Sequence, residues 1–495
     1  MKIFWTGDLI GDSGFGRIGN EVSKRLVMRG HLLKGAGVNY TGWENNAVPF
    51  HVYPLAGRDI WAELTNLVNQ HQPDVVVMCQ DFPYSVTLYR ACRINWSKVA
   101  FLCITPVDGT PIEPDWLDLV DDIDGTMVIS RFGVEAMRRQ GRHVALCHPG
   151  VDTGHFKPAT AAEKRELRLK AGIDPDAFVV GMFAMNQGRK NIPATLQTFF
   201  EFARDKPFAR LLLDMEADTP GAGFNIPKIC KQHGWDVKRI IFRAKLVAKG
   251  LLSLRDRYCL LDAHSVISFR EGFGLPLLES MACGVPAVAL DWCSGTEICG
   301  DGKGVLIPTF GPGRIGTWGG AQDFDPDMPA LLAAFNKLFY EPGYRLSVAE
   351  KGYQWAIAQT WDNAAQAVDT ALAAALEKHK RSYADLKAEA YSAIGERDRA
   401  GLQPTAVPDE VRQQPDDDGH AGAGGNPADR RLFAGLQPAG ADGPAVPGLP
   451  QREQQGLRGD VQPGRAGSDL AAAVLPELGH DSPAGLVRAN GERGA

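Results

Sequence analysis

Ser265-Val-Ile-Ser-Phe-Arg270-Glu-Gly-Phe-Gly-Leu-Pro-Leu-Leu-Glu-Ser-Met-Ala-Cys-Gly284 is the stretch on which the fold turns. An apolar run, Ser265 to Phe269, gives way to a glycine turn and then to a helical pattern with Pro276 near its first position. A strand that passes through Gly272 and Gly274 into a helix leaves the amides of Phe273, Gly274 and Leu275 at a helix N-terminus. Unsatisfied N–H groups and the helix dipole favour an anion such as a phosphate there. Glu271 sits on the loop and Glu279 eight residues later on the helix. Two carboxylates so placed bracket a ligand that is anionic in its middle and hydroxyl-rich at both ends, the layout of a nucleoside diphosphate sugar. The same residues also suit a plain strand-to-helix turn with a solvated carboxylate.

Working outward, apolar runs alternate with helical patterns from the start of the chain: Lys2 to Thr6, an amphipathic stretch Ile18 to Arg29, then Leu32 to Val38, Val75 to Cys79, Val99 to Ile104, Thr126 to Ile129 and Val144 to Cys147. The alternation restarts after Pro149 to Pro158, with Phe178 to Met182, a helix from Pro193 to Asp205, Arg210 to Met215, Arg239 to Phe242 and Pro286 to Leu290. This is an α/β pattern of parallel, doubly wound sheets, and its restart predicts two facing Rossmann-like domains, 1–150 and 151–345. Helices are expected over 346–400, with the charge-rich stretch from Glu377 onward reading as a solvated strut.

The chain has 495 residues and a net charge of -6. From Gly401 to Ala495 there are 17 Gly and 11 Pro but a single aromatic, Phe433, so the expectation for 401–495 is a disordered tail. The first 400 residues carry 46 acids and 45 bases, a balance that predicts no nucleic-acid footprint. No apolar run reaches the ~18 residues of a membrane span, and the N-terminal run is too short for a secretory signal, so a cytoplasmic location is expected. Nine scattered cysteines without a C-x-x-C pair fit reduced core thiols rather than a disulfide framework or a zinc site. Asp122-Ile-Asp124 reads as a strand-leading turn, and no structural metal is expected. Arg138-Arg-Gln-Gly-Arg-His143 is a small basic cluster that suits either a solvated helix end or a peripheral contact with an anionic membrane or lipid-linked acceptor.

The segment Glu271 to Glu279, with Met281-Ala-Cys-Gly-Val-Pro-Ala-Val288 after it, closely resembles the E-x7-E signature of retaining GT-B glycosyltransferases of family 4. Gly150-Val-Asp with Phe156 and Pro158 resembles that family's interdomain segment. Ser294-Gly-Thr-Glu297, Asp301-Gly302 and Gly304 resemble its post-signature loop, and Trp361 its closing helix. The resemblance spans residues 1 to 376. It implies a metal-independent, retaining transfer of a sugar from a UDP- or GDP-sugar donor to a glycan, lipid or other small acceptor, with no further cofactor. Glu271 would face the transferred sugar and Glu279 the ribose. Arg189 and Lys190, in Asn186-Gln-Gly-Arg-Lys-Asn191, would meet the diphosphate together with the Phe273, Gly274 and Leu275 amides, and the base would pack near Phe242 to Lys245. Ala184 and Met185 stand where the family often has an arginine.

At the N-terminus, Gly14, Gly16 and Gly19 spell G-x-G-x-x-G after a strand, the dinucleotide fingerprint. That fingerprint also wants an acid about 20 residues on, and Val38-Asn-Tyr-Thr-Gly-Trp43 supplies none. Gly11-Asp-Ser-Gly14 is similar to the nucleophile loop of serine proteases but lacks that scaffold's base and acid. The resemblance offers a third reading, a donor-side loop in which Gly14, Phe15 and Gly16 abut the diphosphate from the opposing domain with Arg17 as a further cation. Asp108, in Ile104-Thr-Pro-Val-Asp-Gly-Thr-Pro111, takes the place where many relatives carry a histidine, and would orient the acceptor or steady positive charge at the anomeric centre. His148 reads as a hinge residue. The alternatives are a nicotinamide-dependent oxidoreductase and a non-catalytic sugar-nucleotide binder.

Overall fold

Two parallel sheets organise the chain, the first repeating the six-strand order of the second with one further strand at its edge. A computed structural model describes residues 1–11, 13–43, 47–316 and 320–393, all within a single unit of the chain, Met1–Ala441. The tail expectation for 401–495 lies outside the described residues.

The first sheet contains β1 (Lys2–Gly7), β2 (Leu32–Gly37), β3 (Val52–Pro54), β4 (Val75–Cys79), β5 (Ala100–Thr105), β6 (Gly125–Val128) and β7 (Ala145–Leu146), in the order β3-β2-β1-β4-β5-β6-β7. The second contains β8 (Val179–Phe183), β9 (Arg210–Asp214), β10 (Ile240–Phe242), β11 (Ala263–Val266), β12 (Ala287–Leu290) and β13 (Val305–Ile307), in the order β10-β9-β8-β11-β12-β13. Both are the doubly wound order, in which the chain reverses direction across the sheet between its first and fourth strands. Central strands β4 and β5 are buried throughout, as parallel strands covered on both faces by helices must be. An antiparallel hairpin, β14 (Thr309–Ile315) and β15 (Gln322–Pro326), follows the last strand of the second sheet.

The reversal point of the first sheet rests on a glycine. Gly7 ends β1 with φ +133°, and a Cβ there would stand 2.3 Å from the Cys79 carbonyl oxygen at the end of β4. Only glycine allows the two strands to part there. At the matching point of the second sheet, β11 pairs with β8 at Ala263 and His264 alone. The strand expected to continue to Phe269 therefore stops at Val266, and the residues after it leave the sheet as loop.

The last helix, Trp361–Ala393, returns from the second half to the first. It buries Trp361, Ala364, Ala365, Val368 and Leu372 in the same apolar cluster as Ile18 and Leu26 of the helix Gly14–Met28. At about 1.5–3 kcal/mol for each large side chain buried, this face is what holds the return crossing. The expectation of a solvated strut from Glu377 onward is corrected at its start. Lys378 Nζ donates to the Ile123 carbonyl at 2.7 Å, and His379, 6 % exposed, lies 3.2 Å from Asp124 Oδ1. Where the chain crosses between halves, Val151 N–H donates to the Gln359 carbonyl at 2.9 Å, so the outward and return crossings run side by side.

Candidate functional site

In open α/β sheets ligands bind outside the carboxyl ends of the strands at the reversal point. Here both reversal points face one cleft. From the first half come the loop after β1 with the helix Gly14–Met28, the residues after β4, and the loop after β5. From the second half come the loop after β8, which carries Arg189 and Lys190, and the loop after β11, which carries Glu271 and the helix Leu275–Ala282.

Glu271 is engaged by three groups of its own half. Lys190 Nζ contacts Glu271 Oε1, Ser268 Oγ donates to the same oxygen at 2.7 Å, and Arg189 Nη1 stands 3.6 Å from Oε2. Burial pushes the carboxyl up, but the Lys190 and Arg189 charges and the two hydrogen bonds outweigh it and hold it at about 2. Burial, with Arg189 beside it, lowers Lys190 to about 8 against the opposing pull of Glu271. Phe269 N–H donates to the Arg189 carbonyl at 2.9 Å, and Arg189 Nη1 to the Arg270 carbonyl at 3.2 Å, so the two loops of the second half are stitched together.

Glu279, 3 % exposed, lies between the halves: Tyr258 OH donates to its Oε2 at 2.9 Å, and Arg17 of the first half forms an ion pair with Oε1. Below it, His264 bridges Phe183 and Ser280. The Phe183 N–H donates to Nε2 at 3.2 Å, which leaves the ring proton on Nδ1 to donate to Ser280 Oγ at 2.9 Å. Burial lowers this imidazole to about 3, so it is neutral at any ordinary pH.

The two glycine segments differ from expectation in their details. Gly274 caps the helix Leu275–Ala282 in a left-handed conformation, φ 98°, and Pro276 is its second residue. The amides of Phe273, Gly274 and Leu275 make no hydrogen bond among the described residues. The Phe273 ring is packed edge-on against His148, centroids 4.7 Å apart. In the first half, Ser13 caps the helix Gly14–Met28: Gly16 N–H donates to Ser13 Oγ at 2.9 Å, and Ser13 Oγ donates to Asp8. A Cβ on Gly16 would stand 2.4 Å from the Gly11 carbonyl oxygen. Gly16 thus serves the packing of its own loop, and its amide is already used. Gly14 is exposed and lies against Leu275, with Phe15 half-buried beside it. No acid follows β2 at Val38-Asn39-Tyr40, so the dinucleotide reading lacks its ribose partner.

Asp108 lies at the cleft with its Oδ1 4.0 Å from Arg270 Nη1. Asp81, the residue that begins the helix after β4, joins these residues without having been legible in the sequence. Its side chain makes no capping hydrogen bond. Burial, and then the Asp108 charge, raise it to about 6 despite Arg189. Its one trace there is its position two residues beyond the uniformly apolar Val75 to Cys79. The same holds of Tyr258, Ser268, Asp8 and Asp323, for which no local pattern speaks.

His148 lies at the crossing between halves, its Nε2 3.0 Å from Glu297 Oε1. Asp124 is committed to Phe101 N–H at 2.9 Å and to His379. Among the described residues no group of three His, Cys, Asp or Glu is arranged to hold a metal ion. All nine cysteines are free and buried. In the basic cluster, Arg138 and Arg139 pair with Glu135 at 2.8 and 2.9 Å and Arg142 with Asp121 at 2.6 Å, leaving little surplus charge there. Among the described residues no helix is long and apolar enough to cross a membrane.

Residues 252–313, which hold the helix Leu254–Cys259, the Glu271 loop and β12, match the model of the family described as glycosyl transferases group 1. The chain is 28% identical over 226 residues to a D-inositol 3-phosphate glycosyltransferase of Kineococcus radiotolerans, covering 43% of this chain and 48% of that protein. It is 30% identical over 193 residues to one of Segniliparus rotundus, covering 38% and 39%. The chain thus spans less than half the length of these curated relatives. Among solved structures, Anabaena Alr3699/HepE in complex with UDP superposes with a TM-score of 0.56 at 15% identity, covering 75% of this chain and all of that one. Sucrose-phosphate synthase from Thermosynechococcus elongatus gives 0.57 at 14% identity, covering 80% of this chain and 100% of that one. The fold is that of the GT-B glycosyltransferases.

Proposed function

We propose that this chain transfers a glycosyl group from a nucleoside diphosphate sugar, held mainly by the second half, to an acceptor held against the first. The observation that carries the reading is the opposition of the two reversal points, with Gly14 against Leu275, Arg17 on Glu279 and Lys190 on Glu271 around one cleft.

In this reading Glu279, oriented by Tyr258, accepts hydrogen bonds from the ribose hydroxyls. Lys190, Arg189, Arg17 and the amides of Gly14, Phe15, Phe273, Gly274 and Leu275 surround the diphosphate. Fixed cations and N–H groups are of the kind that stabilise charge developing on a leaving diphosphate, so the protein supplies this without requiring a metal ion. A carboxylate held at about 2 is a poor base, so Glu271 holds a sugar hydroxyl rather than the proton of the acceptor. That proton then passes to the departing phosphate oxygen on the face where the new bond forms, and the anomeric configuration is retained. Asp108, and beside it Asp81, orient the acceptor hydroxyl. Proteins of this fold have been solved in complex with UDP, with UDP-glucose and with ADP, which supports a nucleoside diphosphate sugar donor.

The test is calorimetry of the full chain with UDP, GDP and ADP, followed by release of sugar from the matching nucleotide sugars. Binding of one of the three, weakened at least tenfold in Glu279→Ala, is expected. Absence of binding to all three overturns the reading.

A further inference from the structure

Three consecutive residues of β15 reach toward the first half. Gln322 N–H donates to the Thr110 carbonyl at 2.9 Å. Asp323, 7 % exposed, places Oδ1 2.7 Å from Arg270 Nε, and Arg270 in turn approaches Asp108 of the first half. Phe324 packs on Trp292 with ring centroids 4.6 Å apart, and Trp292 packs on Phe132 of the first half at 5.6 Å.

Two of these lines end on the loop after β5, and the third ends beside it on the helix Arg131–Arg139, whose Gly133 lies against Val107. Gly109 of that loop sits where a Cβ would come within 2.9 Å of Ala321 and 3.0 Å of Arg270, and Cys293 Sγ donates to the Asp108 carbonyl at 2.8 Å. Arg270 is the centre of the arrangement. It is 3 % exposed, precedes Glu271 directly, and stands between a carboxylate of its own half and one of the opposite half. A buried guanidinium needs such partners, because an uncompensated charge in a desolvated place is strongly destabilising. The Asp323 contact is short and internal to the second half, whereas the Asp108 contact is long and spans the cleft. Movement of the halves therefore changes only the latter.

We propose that Arg270 is a positioning residue and that the hairpin β14–β15 forms a wall of the acceptor site: Asp323 holds the Arg270 guanidinium where it draws the loop after β5 against Glu271. One buried cation then sets the register between the sugar-facing carboxylate and the acceptor loop. The inference rests on the reading above, in which Glu271 meets the sugar and Asp108 the acceptor.

The experiment uses the full chain with whichever of UDP, GDP and ADP it binds, and with the corresponding glucose nucleotide, water serving as acceptor. In Asp323→Asn and Arg270→Met the nucleotide Kd and the donor KM are expected to stay within about threefold of wild type. The kcat is expected to fall at least tenfold, with Arg270→Lys recovering part of it. Amides of residues 105–112 should exchange faster with deuterium while the central strands of both sheets keep their protection. Asp108→Asn, which leaves the Asp323 pair intact and buries no unpaired cation, should loosen the same loop even if the other variants do not fold. Wild-type kcat and wild-type protection of 105–112 in these variants overturn the proposal. A wild-type chain that binds no nucleoside diphosphate instead overturns the reading on which it rests.

Discussion

Arg17 of the first half and Glu279 of the second form an ion pair across the cleft, with Tyr258 holding the other oxygen of the same carboxylate. With both oxygens of Glu279 occupied, a ribose gains access only when Arg17 turns away, and the diphosphate is the group that would attract it. Arg17→Ala is expected to tighten binding of the uncharged nucleoside several-fold and to weaken that of the nucleoside diphosphate about tenfold. Calorimetry with both ligands checks the opposite signs.

Tyr258→Phe removes one hydroxyl from a buried site. A hydrogen bond to a charged group contributes roughly 1.5–3 kcal/mol, so nucleotide affinity should fall about tenfold or more. The Tyr258 ring stacks on Phe183 with centroids 4.1 Å apart, and Phe preserves that packing, so the fold should hold. Unchanged nucleotide affinity would mean that Tyr258 does not orient Glu279 for binding.

Lys190 is lowered to about 8 by burial and by Arg189. It is therefore a cation below pH 8 and loses its proton above it. Nucleoside diphosphate affinity should decline from pH 8 upward, approaching tenfold per pH unit. In Lys190→Arg that decline should disappear, because a guanidinium keeps its charge throughout. Calorimetric titrations between pH 6.5 and 9.5 on both proteins make the comparison.

Asp81, raised to about 6, costs stability when ionised. The sign follows from linkage: its folded value lies above its unfolded one, so the cost is absent below pH 4 and complete above pH 6. Asp81→Asn should raise stability on the order of 3 kcal/mol at pH 7.5 and by far less at pH 4. It should also lower turnover if the carboxylate receives the acceptor. Thermal melts at the two pH values, with rates at the higher, test both halves of the statement.

His264 is neutral in the fold, with its imidazole lowered to about 3 by burial. The unfolded chain takes up a proton near pH 6.5 and the folded one does not, so stability falls as pH drops below 6.5. At pH 5 the loss from this side chain is about 2 kcal/mol. His264→Gln is less stable at neutral pH but should show a shallower slope between pH 6.5 and 4.5 in urea titrations.

The parallel α/β pattern was legible because its cause is local. Val75 to Cys79 is five apolar residues that only a strand covered on both faces accommodates, and β4 occupies those residues with no change at either end. Short edge strands escaped. Val52–Pro54 and Val305–Ile307 are three residues each, too short to show a period, and exist because a neighbouring strand offers them a ladder. The hairpin β14–β15 was missed for another reason. Thr309–Ile315 contains three of the residues, Gly311, Pro312 and Gly313, that mark loops rather than strands.

The sequence by itself determined the doubly wound fold, since apolar periodicity, helix starts and turn residues act within a few positions of one another. It also named Glu271, Glu279, Arg189, Lys190 and Asp108. Only the tertiary structure decided which of them meet: Arg17 with Glu279 across 262 positions of chain, Lys190 with Glu271 across 81, and Asp108 with Arg270. It also decided that Gly16 serves its own loop and that Asp81, Tyr258 and Asp323 belong to the cleft. Charge pairing and desolvation depend on distance in space, and a chain that reverses direction twice at its sheet centres brings together residues whose separation in sequence carries no trace of it.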